Sequence, residues 1–264
     1  MNKPGEEPLL SLPERHSRIL SLLQQNGSIS VTQLSELFKV SEVTIRKDLS
    51  YLEQQKKLYR THGSAILISP YISDRHVNEK EKKNVVEKRA IGAAAAALVS
   101  QDDSIIIASG TTMAFLAREI KPVGRLTVIT AAVPVTQILS QHADVDVIQL
   151  GGITRSSSVS VVGPFAEAML RNFNCSKLFV GVDGIDTEFG LTTTNMLEAS
   201  LNDAMINAAQ KVVVLADSSK FGRRGFSKIC DLEAVDRIIT DSGVQPLYLE
   251  RLRERGIEVT VVDV

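Results

Sequence analysis

Small polar and charged side chains cluster at the start of a helical pattern near the N-terminus, and their chemistry suits DNA. The set comprises Ser41, Glu42, Thr44, Arg46 and Lys47. When a helix enters the major groove by its N-terminal turns, arginine pairs with guanine and glutamate with cytosine. We therefore expect these residues to face DNA, with Thr44, Arg46 and Lys47 as the main contacts.

Three short helices must hold these side chains in place. Apolar residues at three- and four-residue spacing predict helices around residues 19–23, 31–38 and 42–54. The predicted buried positions of the second and third helices are Val31, Leu34, Leu37, Phe38, Val43, Ile45, Leu49 and Leu52. We expect Ser41 to cap the third helix and Ser30 or Thr32 to cap the second, because a hydroxyl can accept from first-turn amides.

Two short extended runs around a glycine follow the third helix, in residues 57–66. They predict a small wing from which Arg60 and His62 reach phosphates or the minor groove. Residues 39–60 contain six lysines or arginines and three acids. This small excess of positive charge agrees with DNA binding, but the prediction rests on the motif. The alternative is an ordinary three-helix bundle that docks other proteins.

The pattern is continuous through helix, turn, helix and wing, and it is similar to a known family. Residues 39–65, KVSEVTIRKDLSYLEQQKKLYRTHGSA, resemble the winged helix-turn-helix of DeoR-type transcriptional regulators. One departure is Ser64, where the family usually has a second glycine. The resemblance implies a double-stranded DNA operator as partner.

The composition fits one small module and one larger domain. The chain has 264 residues, 44% of them hydrophobic, and a net charge of -1, so any DNA affinity must come from local clustering. It has no apolar stretch suited to a membrane span or signal peptide, so we expect a cytoplasmic protein without a membrane partner. Its cysteines, Cys175 and Cys230, and its scattered histidines predict neither a metal site nor a cofactor.

From residue 104 onward, short apolar runs alternate with helical stretches. The runs occupy residues 105–107, 126–129, 145–150, 178–180, 212–215, 238–239 and 259–262. The helical stretches occupy residues 113–120, 135–141, 165–173 and 198–210. This alternation predicts an α/β domain whose mostly parallel sheet is buried on both faces. In such a domain ligands bind beyond the carboxyl ends of the strands.

Glycines and small polar residues follow five of these runs. Gly110, Thr111 and Thr112 open a helix, so free amides, hydroxyls and the positive helix end would meet there as a phosphate requires. Lys220 follows another run and can supply a compensating charge. Each piece alone also fits plain turn chemistry, with Asp183 or Asp217 as helix caps. Likewise, Arg155 with its neighbouring serines also fits a mobile polar loop.

The DeoR resemblance extends from about residue 14 to the end. IIIASGTT, VIQLGGITRSSSVSVVG, LFVGVDGID, FGLTT and VVVLADSSKFG are similar to the family's sensor signatures, and that sensor is related to ribose-phosphate isomerase, glucosamine-phosphate deaminase and CoA transferase folds. The implied effector is a phosphorylated sugar or related metabolite that weakens DNA binding. The residues that the resemblance assigns to this ligand are Gly110, Thr111, Thr112, Gly151, Gly152, Arg155, Asp183, Gly184 and Lys220. Ala108 and Ala131 depart from the family's usual aspartate and asparagine.

These patterns predict an N-terminal tail at 1–13, a winged helix-turn-helix at 14–69, a charged linker at 70–87 and a sensor at 88–264. We interpret the lysine run of the linker as solvated. The leading hypothesis is a repressor of carbohydrate-utilisation genes that acts as a dimer or tetramer and has no catalytic residues. The alternative is a sugar-phosphate isomerase or deaminase with a DNA-binding appendage that uses Asp183, Asp186, Glu188 or Lys220. No glutamate or histidine stands at the GTT, GG or SSK strand ends, which favours the regulator.

Overall fold

The computed structural model describes residues 11–26, 28–55, 57–61, 63–67 and 77–264. The chain divides into two compact units, Met1–Tyr71 and Ile72–Val264. His62, one of the predicted DNA contacts, lies outside the described residues. Within the described part of the chain, no helix is both long enough and apolar enough to cross a membrane.

The first unit is a three-helix bundle with a small antiparallel sheet. Its elements are α1 (Leu12–Asn26), β1 (Ser28–Ser30), α2 (Val31–Phe38), α3 (Glu42–Gln54), β2 (Leu58–Thr61) and β3 (Ser64–Leu67). Strand β3 pairs with both β1 and β2. The helices and the two-stranded wing confirm the sequence prediction. The sequence did not predict β1, because a three-residue strand leaves no periodic pattern.

Local capping fixes where α2 and α3 begin. Ser30 and Gln33 form a capping box, in which each side chain bonds the other's backbone amide. The Ser41 hydroxyl accepts from the Thr44 amide at the start of α3. Both caps agree with the predicted ones. Between the helices, Lys39 adopts a left-handed conformation at φ 52°, which ends α2 and turns the chain into α3.

The core of the first unit contains most of the predicted apolar residues. Ile19, Leu34 and Ile45 are fully buried where the three helices meet. Leu37 and Val43 were predicted to be buried, and this is wrong: they are 55% and 58% exposed. Each lies beside the apolar stripe of its helix, where the three- and four-residue spacing alone does not separate the core from its margin.

The second unit is built on a parallel sheet of seven strands. They are β4 (Ser104–Ile107), β5 (Leu126–Thr130), β6 (Val145–Gln149), β9 (Lys177–Gly181), β12 (Val212–Leu215), β14 (Arg237–Asp241) and β15 (Glu258–Val262). Their order across the sheet is β15-β14-β12-β9-β4-β5-β6. All seven predicted runs are strands of this sheet. The inner strands are buried on both faces as expected, whereas β15 is only partly buried because it lies at an edge.

The strand order places a topological switch between β4 and β9. From β4 the chain adds β5 and β6 on one side of the sheet. It then returns to place β9, β12, β14 and β15 on the other side. The connections from β4 and β9 therefore lead to opposite sides of the switch, where a crevice is expected at the carboxyl ends of these two strands.

The helices of the second unit cover the sheet. They are α4 (Val77–Glu81), α5 (Val85–Ala96), α6 (Thr111–Glu119), α7 (Val133–Leu139), α8 (Pro164–Leu170), α9 (Met196–Asn207) and α10 (Pro246–Glu254). Helices α5 and α6 pack very closely, because a Cβ on Gly92 would lie 2.8 Å from the Leu116 nitrogen. The small residues of α5 therefore serve close packing. Helix α4 lies within residues 70–87, the stretch predicted as a linker.

Two smaller antiparallel elements lie beside the main sheet and were not predicted. One is a hairpin of β7 (Ile153–Arg155) and β8 (Ser160–Val162). The other is a sheet of β10 (Gly184–Asp186), β11 (Gly190–Thr193) and β13 (Ser227–Cys230). Together they carry residues that border the carboxyl ends of the parallel strands.

Candidate functional site

The first turns of α3 present the predicted DNA-facing side chains on one surface of the first unit. Ser41, Arg46 and Lys47 are exposed, and Glu42 and Thr44 are partly exposed. Ile45 and Leu49 point the opposite way, into the core. The helix therefore separates an apolar face that packs from a polar face that is available to a partner, which is the arrangement of a recognition helix.

Arg46 and Glu42 are paired with each other in this structure. Arg46 Nη2 donates to Glu42 Oε2 at 2.6 Å, and the Thr32 hydroxyl donates to Glu42 Oε1 at 2.9 Å. The guanidinium stays 57% exposed. An exposed pair of this kind contributes little free energy, so its rearrangement against a base or a phosphate carries a small cost.

Arg60 connects the wing to α3. Its Nε donates to Glu53 Oε2 at 2.7 Å and its Nη1 to Ser50 Oγ at 2.6 Å. Its backbone amide also donates to Glu53 Oε1. Arg60 thus braces the wing while its side chain remains 41% exposed, so the same residue is available to a phosphate.

Asp48 anchors the buried side of α3, a role that the sequence did not reveal. Arg15 grips its carboxylate with two bonds, Nε to Oδ2 at 2.6 Å and Nη2 to Oδ1 at 3.1 Å. His16 Nε2 lies 3.2 Å from Oδ1, and its ring stacks on Tyr51. The only sequence signal was an acid in an otherwise basic stretch of α3. Its partners in α1 are more than thirty residues away.

A polar cleft lies at the topological switch of the second unit. Its walls come from the loops after β4, β9 and β12, together with α4, α5 and α9. The charged and hydroxyl-bearing lining residues, together with Gly110, are Lys80, Lys88, Ser109, Gly110, Thr111, Thr112, Asp183, Thr193, Glu198, Asp217 and Lys220.

One end of the cleft is the start of α6. Gly110 is its N-cap, with φ 130° and no side-chain cap bond, so the first-turn amides keep unused donors. A residue with a Cβ would be strained at this φ. Thr111 and Thr112 follow directly and line the same wall. Free amides, hydroxyls and the positive end of the helix dipole therefore converge as they do at anion sites.

Three lysines surround this cleft, and two of them were not predicted. Lys220 follows β12, whereas Lys80 and Lys88 come from α4 and α5. The interpretation of the lysine run as solvated is therefore wrong for Lys80, and Lys88 is only 5% exposed. Burial lowers the pKa of Lys88 to about 8; Asp217 opposes this shift, and the positive charges of Lys220 and Lys80 add to it.

Asp183 is the main counter-ion of these lysines. Lys80 Nζ lies 2.9 Å and Lys220 Nζ 3.8 Å from Asp183 Oδ1. The hydroxyls of Thr193 and Thr194 donate to Oδ2. Burial favours a raised pKa, but the two ammonium groups and these bonds hold the pKa of Asp183 at about 2. Asp183 is therefore a fixed negative charge at neutral pH.

Glu198 also reaches the cleft, against the expectation that no glutamate stands near the strand ends. It lies in the first turn of α9, which Asn195 caps. Glu198 accepts from Arg155 through Oε2 and from the Ser109 hydroxyl, at 3.3 Å, through Oε1. Burial raises its pKa, as does the nearby charge of Asp183, and Arg155 opposes the shift. The sequence signal was Asn-x-x-Glu at a helix start, which reads first as capping.

Five of the nine predicted ligand residues line the cleft: Gly110, Thr111, Thr112, Asp183 and Lys220. The other four, Gly151, Gly152, Arg155 and Gly184, are not among the lining residues. Packing explains two of these, because a Cβ would lie 2.6 Å from the Val162 oxygen at Gly152 and 2.4 Å from the Arg223 oxygen at Gly184. Arg155 acts on the cleft through its bond to Glu198.

A winged helix-turn-helix and an α/β domain with a polar cleft at its topological switch, in one chain, define a class of transcriptional regulators that bind DNA. Two family models match the chain: the DeoR-like helix-turn-helix domain over residues 15–71 and the DeoR C terminal sensor domain over residues 83–242. The chain belongs to the DeoR family of transcriptional regulators.

Three relatives match almost the whole chain. A regulator of Bacillus subtilis named YulB is 39% identical over 94% of this chain and 96% of its own length. The putative aga operon transcriptional repressor of Escherichia coli O157:H7 is 37% identical over 98% and 97%. The lactose phosphotransferase system repressor of Lactococcus lactis is 33% identical over 91% and 95%.

Among solved structures, ribose 5-phosphate isomerase A of Methanocaldococcus jannaschii is similar in fold over 53% of this chain and 55% of its own. Its sequence identity is 17% and the TM-score is 0.39, which is too low to inform on function.

Proposed function

We propose that this chain represses carbohydrate-utilisation genes and that a phosphorylated sugar or related metabolite, bound in the cleft, weakens its hold on DNA. The observation that carries the proposal is that the free amides of α6 line one polar cleft together with Lys80, Lys88 and Lys220. Fixed dipoles and ammonium groups in one cleft suit a phosphate, and the carboxylates among them suit hydroxyl groups.

The relatives support the carbohydrate part of this proposal. Two of them are named as repressors, one of the aga operon and one of a lactose phosphotransferase system. Sugars that enter a cell through phosphotransfer are phosphate esters, so a phosphate-binding cleft is consistent with such an effector. We propose that the chain acts in the cytoplasm, where operator DNA and phosphorylated sugars are both present.

On the DNA side, we propose that the α3 surface reads bases, with Lys47 on a backbone phosphate, and that the wing also contacts the backbone. Thr44, Arg46 and Lys47 are the main contacts, with Ser41 and Glu42 beside them and Arg60 on a phosphate. The predicted division into 14–69 for DNA and 88–264 for the effector is kept, with α4 added to the effector side. Since one small module buries too little surface to select an operator, two or more chains act together as a dimer or tetramer.

An isomerase or deaminase activity is the second candidate, and Glu198 is the observation in its favour. It is a buried carboxyl with a raised pKa beside a fixed charge, as a general base often is. Its two oxygens, however, are occupied by Arg155 and Ser109. Asp183 is too acidic to accept a proton at neutral pH. We therefore propose a binding cleft that performs no turnover.

The test combines DNA retention with a turnover assay. DNA is selected by the protein from a randomised library, and its retention in a gel is measured with a panel of sugar phosphates and with the same sugars without phosphate. We expect one or more phosphorylated sugars to release the DNA, none of the unphosphorylated sugars to do so, and no sugar phosphate to be converted. Steady conversion of any panel member would contradict the regulator proposal, and DNA release by an unphosphorylated sugar would contradict the assignment of the phosphate.

A further inference from the structure

Helix α4 is the first described element of the second unit, and polar contacts with the cleft hold it. Lys80 bonds Asp183. The Lys88 ammonium donates to the backbone oxygens of Lys80 and Lys83, at the end of α4. On the outer side, Arg118 Nη2 lies 3.2 Å from Glu81 Oε1.

Helix α4 also makes a backbone bond outside the cleft lining, in which the Val77 amide donates to the Ser157 oxygen at 2.6 Å. It has five residues, which is too short for a helix to be stable on its own. None of its described side chains is fully buried. The position of α4 therefore depends on the charges of the cleft rather than on an apolar interface.

The charged residues that line the cleft are balanced in number. Lys80, Lys88 and Lys220 oppose Asp183, Glu198 and Asp217 around its lining. Lys88 is almost fully buried, yet the acceptors recorded for its ammonium group are two neutral carbonyl oxygens. An ammonium has three donors and bonds an anion more strongly than a neutral oxygen. An anion at the start of α6 would thus attract Lys80, which lies in α4, and Lys88, which bonds backbone oxygens in and just after α4.

We propose that α4 is a strap operated by the effector: an anion at the start of α6 is bound by Lys80 and Lys88 as well as by Lys220, and this holds α4 against the cleft. Because α4 follows the DNA-binding unit in the sequence, before the rest of the second unit, its fixation lowers DNA affinity. This inference rests on the proposed effector site and adds the residues that carry its signal.

Hydrogen exchange on the full-length protein tests the strap. Exchange is measured with inorganic phosphate and with chloride at equal ionic strength. We expect phosphate to slow exchange both in residues 109–115, at the start of α6, and in residues 78–83, in α4. Slower exchange in 109–115 alone would overturn the strap and leave the effector site intact. No change in either segment would overturn both, and faster exchange in 78–83 would overturn the strap.

A pair of lysine variants gives the second arm. Lys80→Met removes the contact with Asp183, and Lys82→Met is the matched control because Lys82 lies on the same segment with an exposed side chain. DNA affinity is measured for each with and without inorganic phosphate. We expect Lys82→Met to keep the wild-type ratio of the two affinities and Lys80→Met to bring that ratio towards one. Equal ratios in both variants would overturn the proposal. If Lys80→Met folds poorly, the hydrogen exchange of the wild-type protein still tests the strap.

Discussion

At the scale of single residues, Lys88 gives the effector site its pH dependence. Burial lowers its pKa to about 8, so the ammonium is charged at neutral pH and loses its proton as pH rises through that value. A phosphate monoester is already dianionic above about pH 6, so its own charge is constant in this range. Any loss of anion affinity above about pH 8 therefore reports on the lysine.

We expect the affinity for a phosphate monoester, the sugar phosphate that releases DNA best, to fall between about pH 7 and about pH 9 in the wild-type protein. Lys88→Arg should bind with little change over this range, because a guanidinium stays charged. Isothermal titration calorimetry at each pH measures both proteins. A wild-type affinity that is constant over the range would show that Lys88 does not contact the anion.

Two neighbouring basic residues of α3 should have different effects on DNA. Arg46→Ala removes a side chain that can form two bonds to one guanine, so we expect a loss of about 1–3 kcal/mol on the selected DNA and relaxed preference at one base pair. Lys47→Ala removes a phosphate contact and should weaken all sequences alike, with a shallower salt dependence. Fluorescence anisotropy on selected and scrambled DNA separates the two. Equal losses on both DNAs for Arg46→Ala would contradict base reading by this residue.

At the scale of elements, the contact between α1 and α3 depends on one buried ion pair. Arg15 and Asp48 bond through two atoms each, and both side chains are at least nine-tenths buried. Loss of one partner leaves a charge buried without its counter-ion, which costs about 3–5 kcal/mol. Arg15→Met should therefore lower the free energy of unfolding of the first unit by about that amount.

Arg18→Met is the matched control, since Arg18 lies on the same helix with an exposed side chain. The free energy of unfolding of the first unit is measured in urea for both variants. We expect the control to change stability by less than about 0.5 kcal/mol. Similar losses in the two variants would mean that the pair does not anchor α3.

Some of the elements could be predicted from the sequence and others could not. The seven parallel strands were predictable because each is a short apolar run bounded by glycine or polar residues. Helices α2 and α3 were predictable because Ser30 and Ser41 mark their starts. The sheet of β10, β11 and β13 was not predicted, since its strands are short and the pairing of β11 with β13 connects residues far apart in the chain.

The cleft was predictable only in part, for a related reason. Gly110 to Thr112 and Lys220 stand directly after strands, where the parallel architecture places ligands. The cleft also contains residues from helices: Lys80, Lys88 and Glu198. The local sequence does not distinguish a lysine that points into a cleft from one that is solvated. Gly152 and Gly184 misled the prediction in the opposite direction, because a glycine required by close packing looks the same in a sequence as one that approaches a ligand.

At the scale of the whole molecule, the account requires more than one chain on each operator. A single winged helix presents one recognition helix, and an operator is distinguished from a genome of competitors by two half-sites. Sedimentation of the protein with selected DNA should show at least two chains per DNA fragment. A complex with one chain per fragment at saturating protein would contradict this part of the account.

The central claim is that the cleft and the DNA-binding helix are coupled, and the DNA affinity with and without effector tests it most directly. The affinity for selected DNA is measured by anisotropy, with and without the sugar phosphate that releases DNA best, for the wild-type protein and for Lys220→Met. Coupling of about 1–3 kcal/mol predicts that the effector weakens wild-type DNA binding about 5- to 150-fold. In Lys220→Met the ratio should fall towards one. A wild-type protein that binds the sugar phosphate and DNA with no effect of one on the other would contradict the account.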